Sequence, residues 1–266
     1  MTQIIDGRAI AEDLYKELET RRARFAHAPR LGILVGLETP LIESYVRIKS
    51  KAAQRLGVEL VRIDLQKSET TARAISAVRT LALETDGVVV QLPLPEHVDT
   101  NATLSSIPDN KDVDSISTAT PEHDVDAPVA LAVMEILRRS HVEQNGARVV
   151  VVGNGRLVGA PVAATLKRAG ADVTVVTLES GSLADLKHAD IVVLGAGSPG
   201  LVKPAHVKEG VVLIDAGTSE QGGKVVGDAD PACADVASVF TPVPGGVGPI
   251  AVAMLFKNLF DLMEKK

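Results

Sequence analysis

Tyr45 and Lys49 lie four residues apart in Ser44-Tyr45-Val46-Arg47-Ile48-Lys49, a stretch with helical periodicity, so their side chains share a helix face. A lysine beside an apolar cleft is desolvated and its pKa falls, which lets it exchange protons or polarise an intermediate near neutral pH. Taken alone, such a pair is usually a solvated face with a snorkelling lysine stem. Two features favour chemistry. Gln91 ends the buried run Val88-Val89-Val90 and is followed by Leu92-Pro93-Leu94-Pro95, and an amide at the C-terminal end of a parallel strand sits where such sheets bind ligands. Lys111-Asp112-Val113-Asp114 could deliver carboxylates to the same cleft.

A second set of residues suits a dinucleotide. The run Val149 to Val152 leads directly into Gly153-Asn154-Gly155-Arg156-Leu157-Val158-Gly159. The first glycine permits a tight turn after a strand. The second leaves room beside the backbone for a pyrophosphate, whose charge is met by N–H groups at a helix N-terminus. Gly159 falls one position later than in G-x-G-x-x-G, and a plain strand–helix turn is the alternative reading. A further strand about twenty residues on favours cofactor binding. That strand ends Val175-Val176-Thr177-Leu178-Glu179. A carboxylate at Glu179 would accept from a ribose hydroxyl and repel a ribose phosphate, so NAD is favoured over NADP. An exposed loop acid is the other reading of Glu179, and Arg156 is the one nearby cation that argues for NADP. Finally, Thr241 to Pro249 packs glycines and prolines densely, including Gly245 and Gly246. This is either a tight turn or a loop whose backbone approaches a flat ligand closely.

These residues need a scaffold, and the rest of the sequence supplies one. Leu31 to Val35, Val58 to Leu65 and Gly87 to Leu92 read as buried strands, with helical periodicity over Pro40 to Leu56 and Thr71 to Leu83. Strands are also expected at Val149 to Val152, Val173 to Thr177, Ile191 to Gly195 and Val211 to Asp215, with helices between the first three. Pro108 to Pro128 reads as a loop or crossover, followed by a helix to about Arg139, and the chain ends in a helix from Pro249 to Lys265. Strand–helix alternation implies parallel sheets, hence an α/β fold of two lobes with a cleft between them.

Composition narrows the function. The chain has 266 residues, 45% hydrophobic and 23% charged, with aromatics at 2%, so aliphatic side chains must build the core. A net charge of -6 without a basic run argues against a nucleic-acid partner. Cys233 is the only cysteine, which excludes an intrachain disulfide and fits a small inert residue better than a nucleophile. Met1 to Arg8 carries no signal-peptide pattern, and no apolar stretch approaches the roughly 20 residues that span a bilayer. A cytoplasmic protein with no membrane partner and no bound metal is expected.

Taken together, the segments resemble the bifunctional methylenetetrahydrofolate dehydrogenase/cyclohydrolase (FolD) family. The likeness covers nearly the whole chain. It runs from Ile5-Asp6-Gly7-Arg8-Ala9-Ile10-Ala11 through Ser44 to Lys49, Val89 to Pro95 and Lys111 to Asp114. It continues at Gly153 to Pro161, Ala189 to Val192, Val226 to Asp230 and Pro242 to Pro249. The resemblance implies a folate-binding catalytic domain at 1–125, completed by the C-terminal helix 249–266, and a Rossmann-like NAD(P)-binding domain at 126–248. It also implies oxidation of methylenetetrahydrofolate with NAD or NADP, hydrolysis of the methenyl product to 10-formyltetrahydrofolate, and a homodimer.

By the same resemblance Tyr45 stacks on the folate, Lys49 is the catalytic lysine, and Gln91 tunes it by a hydrogen bond. Asp114 holds the polar edge of the pterin, and Gly245 and Gly246 line the folate pocket. The nicotinamide cofactor lies at Gly153, Asn154, Gly155, Arg156 and Gly159. The chain departs from the family pattern at Ser115, where glycine is usual, at Asn154 and Leu178, where arginine and serine are usual, and at Ala251, where threonine is usual. It also has a shortened stretch from Ile116 to Pro128. These departures keep two rival readings open: a cyclohydrolase whose dinucleotide site has decayed, and a non-catalytic folate- or nucleotide-binding protein.

Overall fold

The computed structural model of the chain describes residues 1–117, 124–177 and 182–265. In order come β1 (Gln3–Ile4), α1 (Gly7–Arg22), β2 (Arg30–Val35), α2 (Pro40–Arg55), β3 (Glu59–Asp64), α3 (Thr71–Glu84), β4 (Gly87–Gln91) and α4 (Thr100–Leu104). Then follow α5 (Pro128–Arg139), β5 (Arg148–Val152), α6 (Gly159–Arg168), β6 (Asp172–Val176), β7 (Ile191–Leu194) and β8 (Val212–Asp215). A hairpin of β9 (Ser219–Gln221) and β10 (Lys224–Val226), the short β11 (Val239–Phe240) and α7 (Val247–Glu264) complete the chain. Among the described residues no helix is long and apolar enough to cross a membrane.

The chain forms two compact units. One, the lysine unit, comprises Asp13–Pro128 and Val252–Lys266; the other, the glycine-loop unit, comprises Met1–Glu12 and Val129–Ala251.

The sheet of the lysine unit has the order β3-β2-β4, all parallel, with Leu31 paired to Gly87 and Val35 to Gln91. Its central and buried strands are continuous aliphatic runs because helices cover both faces; every residue of β4 is buried. Thr39 caps α2 by accepting the Ile42 N–H at 3.2 Å, and Pro40 fits the first turn, where no donor is needed. Thr70 caps α3 in the same way through Arg73. Gly32 of β2 lets α3 come close: a Cβ there would lie 2.9 Å from the Leu81 Cβ. From Val252 on, α7 adds Leu255, Phe256, Leu259 and Phe260 to the core formed by Leu31, Ile33, Val46 and Val89. Each such side chain stabilises the fold by roughly 1.5–3 kcal/mol on burial.

The sheet of the glycine-loop unit has the order β1-β11-β8-β7-β5-β6, again all parallel. Its core joins Val150, Val152, Val192, Leu194 and Leu213 to Leu186, Ala237 and Phe240, and takes in Cys233 as a fully buried thiol. Two details depart from the sequence expectation. Where a helix was expected between β6 and β7, the described residues hold a 3-10 segment, Leu183–His188, started by the Ser182 hydroxyl accepting from Ala184 N–H. The two-residue strands β1 and β11 add an edge to the sheet that no local pattern announces.

The sheet of the lysine unit reverses its direction of growth at β2, and that of the glycine-loop unit at β5. From β2 the chain moves out to β3 and returns to β4 on the other side; from β5 it moves out to β6 and returns to β7. The crevice outside the carboxyl ends of strands at such a reversal is where open α/β sheets bind ligands. Gln91 closes β4 at one reversal, and Gly153 and Gly195 follow β5 and β7 at the other.

Candidate active site

In the lysine unit the structure joins the candidate residues of three separate segments. Lys49 on α2 donates through Nζ to Oε1 of Gln91 at 2.7 Å. The Gln91 side chain, almost fully buried, is held in turn by Nε2 donating to the Leu92 carbonyl at 3.0 Å. That carbonyl belongs to a cis Leu92-Pro93 peptide. Asp114 is close enough to Lys49 for the two charges to act on each other. Removal from water pulls the Lys49 ammonium below its usual pKa, and the Asp114 charge opposes that shift. The same desolvation pushes Asp114 up to about 6, with Lys49 lowering it and Asp112 raising it further. Shifts in these directions bring the proton affinities of the two groups closer together, as acid–base chemistry requires. Tyr45 lies one turn before Lys49, half-buried, and its hydroxyl bonds to nothing among the described residues.

Asp112, although part of the same string, does different work. It is buried, its Oδ2 accepts the N–H groups of Ile116 at 2.8 Å and Ser117 at 2.7 Å, and it forms a parallel bridge with Val88. Ser115 between them has φ 53, the left-handed region that favours glycine. This explains physically why glycine suits the position.

The glycine-loop unit holds the other candidates. Gly153 has φ +99, and a Cβ on it would stand 2.5 Å from the Gly195 carbonyl, so glycine is required twice over. Gly159 is required by packing: its Cβ would fall 2.0 Å from the Gly153 carbonyl oxygen. It therefore supplies the close helix–strand approach even though it comes one residue late. Gly155, in contrast, is exposed, and a Cβ there would meet nothing within 4 Å. Packing around it therefore does not require glycine. Asn154 and Arg156 are exposed beside it, and α6 begins behind them with no side-chain cap and no acidic residue in its first turn. An uncapped helix start behind a bare glycine loop fits a pyrophosphate. Leu178 and Glu179 lie outside the described residues.

Gly245 and Gly246 are also in this unit. Gly245 has φ 112 and its carbonyl accepts the Gly7 N–H at 2.9 Å. A Cβ on Gly7 would fall 1.7 Å from the Gly246 carbonyl oxygen, so Gly7 has no room for a side chain against the backbone of Gly245-Gly246. Ile4, Ile5, Asp6, Arg8, Pro242, Pro244 and Gly245 line a pocket of about 300 Å³.

One arrangement had no counterpart in the sequence reading. Asp228, fully buried, accepts the N–H groups of Ala196, Gly197 and Ser198 at 2.7, 3.0 and 2.7 Å, fixing the loop after β7. Asp215 beside it accepts from Gly217 and Ala229 and is pushed up to about 6, by burial first and the Asp228 charge after it. Gly217 and Gly227 leave no room for a Cβ against these two carboxylates. The only local signal was the Gly227-Asp228 string itself.

The two halves of the chain match two domains described together as tetrahydrofolate dehydrogenase/cyclohydrolase: the catalytic domain over residues 5–114 and the NAD(P)-binding domain over 127–266. The chain belongs to this family. It is 37% identical to the bifunctional protein FolD of Halothermothrix orenii, over 97% of this chain and 96% of that one. Among solved structures it is similar to the FolD methylenetetrahydrofolate dehydrogenase/cyclohydrolase of Campylobacter jejuni, with TM-score 0.94, 29% identity and both chains fully covered. It is also similar to the Trypanosoma brucei FolD complexed with NADP and an inhibitor, with TM-score 0.91 and 37% identity over 99% of this chain and 98% of that one. Family membership makes the second domain one that binds NAD(P), in agreement with the fit of the glycine loop.

Proposed function

We propose that this enzyme oxidises 5,10-methylenetetrahydrofolate to the methenyl form with a nicotinamide cofactor and hydrolyses that product to 10-formyltetrahydrofolate. The observation that carries the reading is the desolvated Lys49, hydrogen-bonded to Gln91 and facing Asp114, in a chain of this family. Lys49 takes a proton from the water that adds to the methenyl carbon; the carbon–nitrogen bond then opens and one proton is released in all. Gln91 holds the Nζ in place. Asp114 binds the polar edge of the pterin by charge-assisted hydrogen bonds, and Tyr45 stacks on the folate. Gly245 and Gly246 line the folate pocket with backbone.

Gly153, Asn154, Gly155, Arg156 and Gly159 would hold the dinucleotide, and the N–H groups at the start of α6 would supply hydrogen bonds to its phosphates. When bound, the cofactor accepts the hydride from the bridging methylene. NAD is the preferred cofactor, because the strand after the loop leads to Leu178-Glu179, where a carboxylate suits a ribose hydroxyl and repels a ribose phosphate, against Arg156 as the one nearby cation in the sequence. The division of labour proposed is folate chemistry at 1–125 with 249–266, and cofactor binding at 126–248. The protein acts in the cytoplasm as a homodimer.

The test follows methenyltetrahydrofolate by absorbance, with methylenetetrahydrofolate and NAD, then NADP, and separately follows methenyl hydrolysis. Methenyl formation that is faster with NAD, followed by its hydrolysis, is expected. Hydrolysis without oxidation by either cofactor would leave only a cyclohydrolase.

A further inference from the structure

Asp114 accepts no hydrogen bond from any described residue, so its position is set through the main chain that carries it. That main chain is held from the C-terminal helix. Asn258 of α7 is 1% exposed, and its Nδ2 donates to the Val113 carbonyl at 2.9 Å and to the Asp126 carbonyl at 2.8 Å. Both amide protons are thereby used, on carbonyls that lie on either side of Asp114 in the chain. Its Oδ1 is buried and accepts nothing among the described residues. An amide in a core is costly to keep when one of its two polar ends is unsatisfied, so the donor end must serve a purpose. Around Val113 there is no slack: a Cβ on Gly87 would lie 2.5 Å from its Cγ1 and 2.8 Å from Leu259. On the other side of Asp114, Asp112 fixes the amides of Ile116 and Ser117.

We propose that Asn258 is a positioning residue for Asp114, acting by holding the Val113 carbonyl so that the next side chain is presented to Lys49 and the substrate. The inference rests on the proposed role of Asp114, and it assigns α7 a part in substrate binding through a residue that never touches substrate. If this holds, loosening Asn258 weakens folate binding in both reactions and frees the backbone of 113–117, beyond any general loss of stability.

The test compares Asn258→Ala with Phe260→Leu, a core truncation on the same helix that disturbs the ring contact with Phe25. Both are assayed well below their melting temperatures. Asn258→Ala is expected to raise the KM for methenyltetrahydrofolate by about 10-fold with kcat within about 3-fold, and Phe260→Leu to leave KM unchanged. Amide hydrogen exchange at Ile116 and Ser117 is expected to speed up in Asn258→Ala alone. Equal behaviour of the two variants in KM and exchange would overturn the proposal. If Asn258→Ala does not fold, Asn258→Ser, which keeps one donor, should show a smaller shift in the same direction, and wild-type values there would also overturn it. A wild-type protein without turnover would defeat the functional reading, while the exchange comparison would still decide the role of Asn258.

Discussion

In the glycine-loop unit the Asp228 carboxylate accepts three backbone N–H groups, whereas in the lysine unit the Asp114 carboxylate accepts none from described residues and instead faces Lys49. Asp228 is fully buried and Asp114 half-buried. Asp228 is repaid by amides that its own charge holds in place, which makes it a fixed part of the loop after β7. Asp114 is left with burial raising its pKa and one opposing charge. A carboxylate in that condition is destabilising in the free protein. Asp112, two residues from Asp114, is of the Asp228 kind, so the distinction follows the partners of each carboxylate and not its surrounding sequence.

The largest effect should come from the cation that Asp114 faces. Lys49→Met is expected to lower the rate of methenyl hydrolysis by about 10³-fold while leaving the fold intact, since the lysine carries the proposed proton transfer. Steady-state absorbance and circular dichroism would check this, and substantial residual hydrolysis would break the assignment of chemistry to this side of the comparison.

Next, Asp228→Ala should cost stability and not chemistry at Lys49. Leaving the N–H groups of Ala196, Gly197 and Ser198 without their acceptor is expected to destabilise the protein by about 3 kcal/mol in urea unfolding. A fully stable variant would show that the amides find other partners.

Smallest, Asp114→Asn should act on stability in the opposite direction. The folded pKa of about 6 lies above the ordinary carboxylate value, so the folded chain binds the proton more tightly between the two. The carboxylate therefore costs nothing below about pH 4, and its penalty grows as pH rises and is complete above about pH 6. Asp114→Asn should accordingly be more stable than the wild type by about 1–2 kcal/mol at pH 8 and equal to it at pH 4, and it should bind folate less well. Part of the gain is lost because Lys49 no longer faces a negative charge. Melting curves at the two pH values decide this, and a destabilised variant at pH 8 would mean that the ion pair outweighs desolvation.

Much of this was legible beforehand. The aliphatic runs fixed β2, β4, β5, β7 and β8 because a strand covered on both faces must be apolar along its whole length. The spacing of Tyr45 and Lys49 put them on one helix, and Gln91 at a strand end is the residue to which Lys49 donates. The glycine loop gave away its turn, and the structure adds that Gly153 and Gly159 answer to packing while Gly155 does not. The segments β1 and β11 were invisible because two residues carry no period, and α1 was not read as a helix.

The sequence by itself determined the alternation of strands and helices, the family, and which residue types were available for chemistry, since those depend on local pattern and composition. Only the tertiary structure decided which acids are structural and which face a charge, and that an amide from α7 holds the backbone beside Asp114. Hydrogen bonds between residues more than a hundred positions apart leave no local trace, and a carboxylate's pKa belongs to its surroundings and not to its neighbours in the chain.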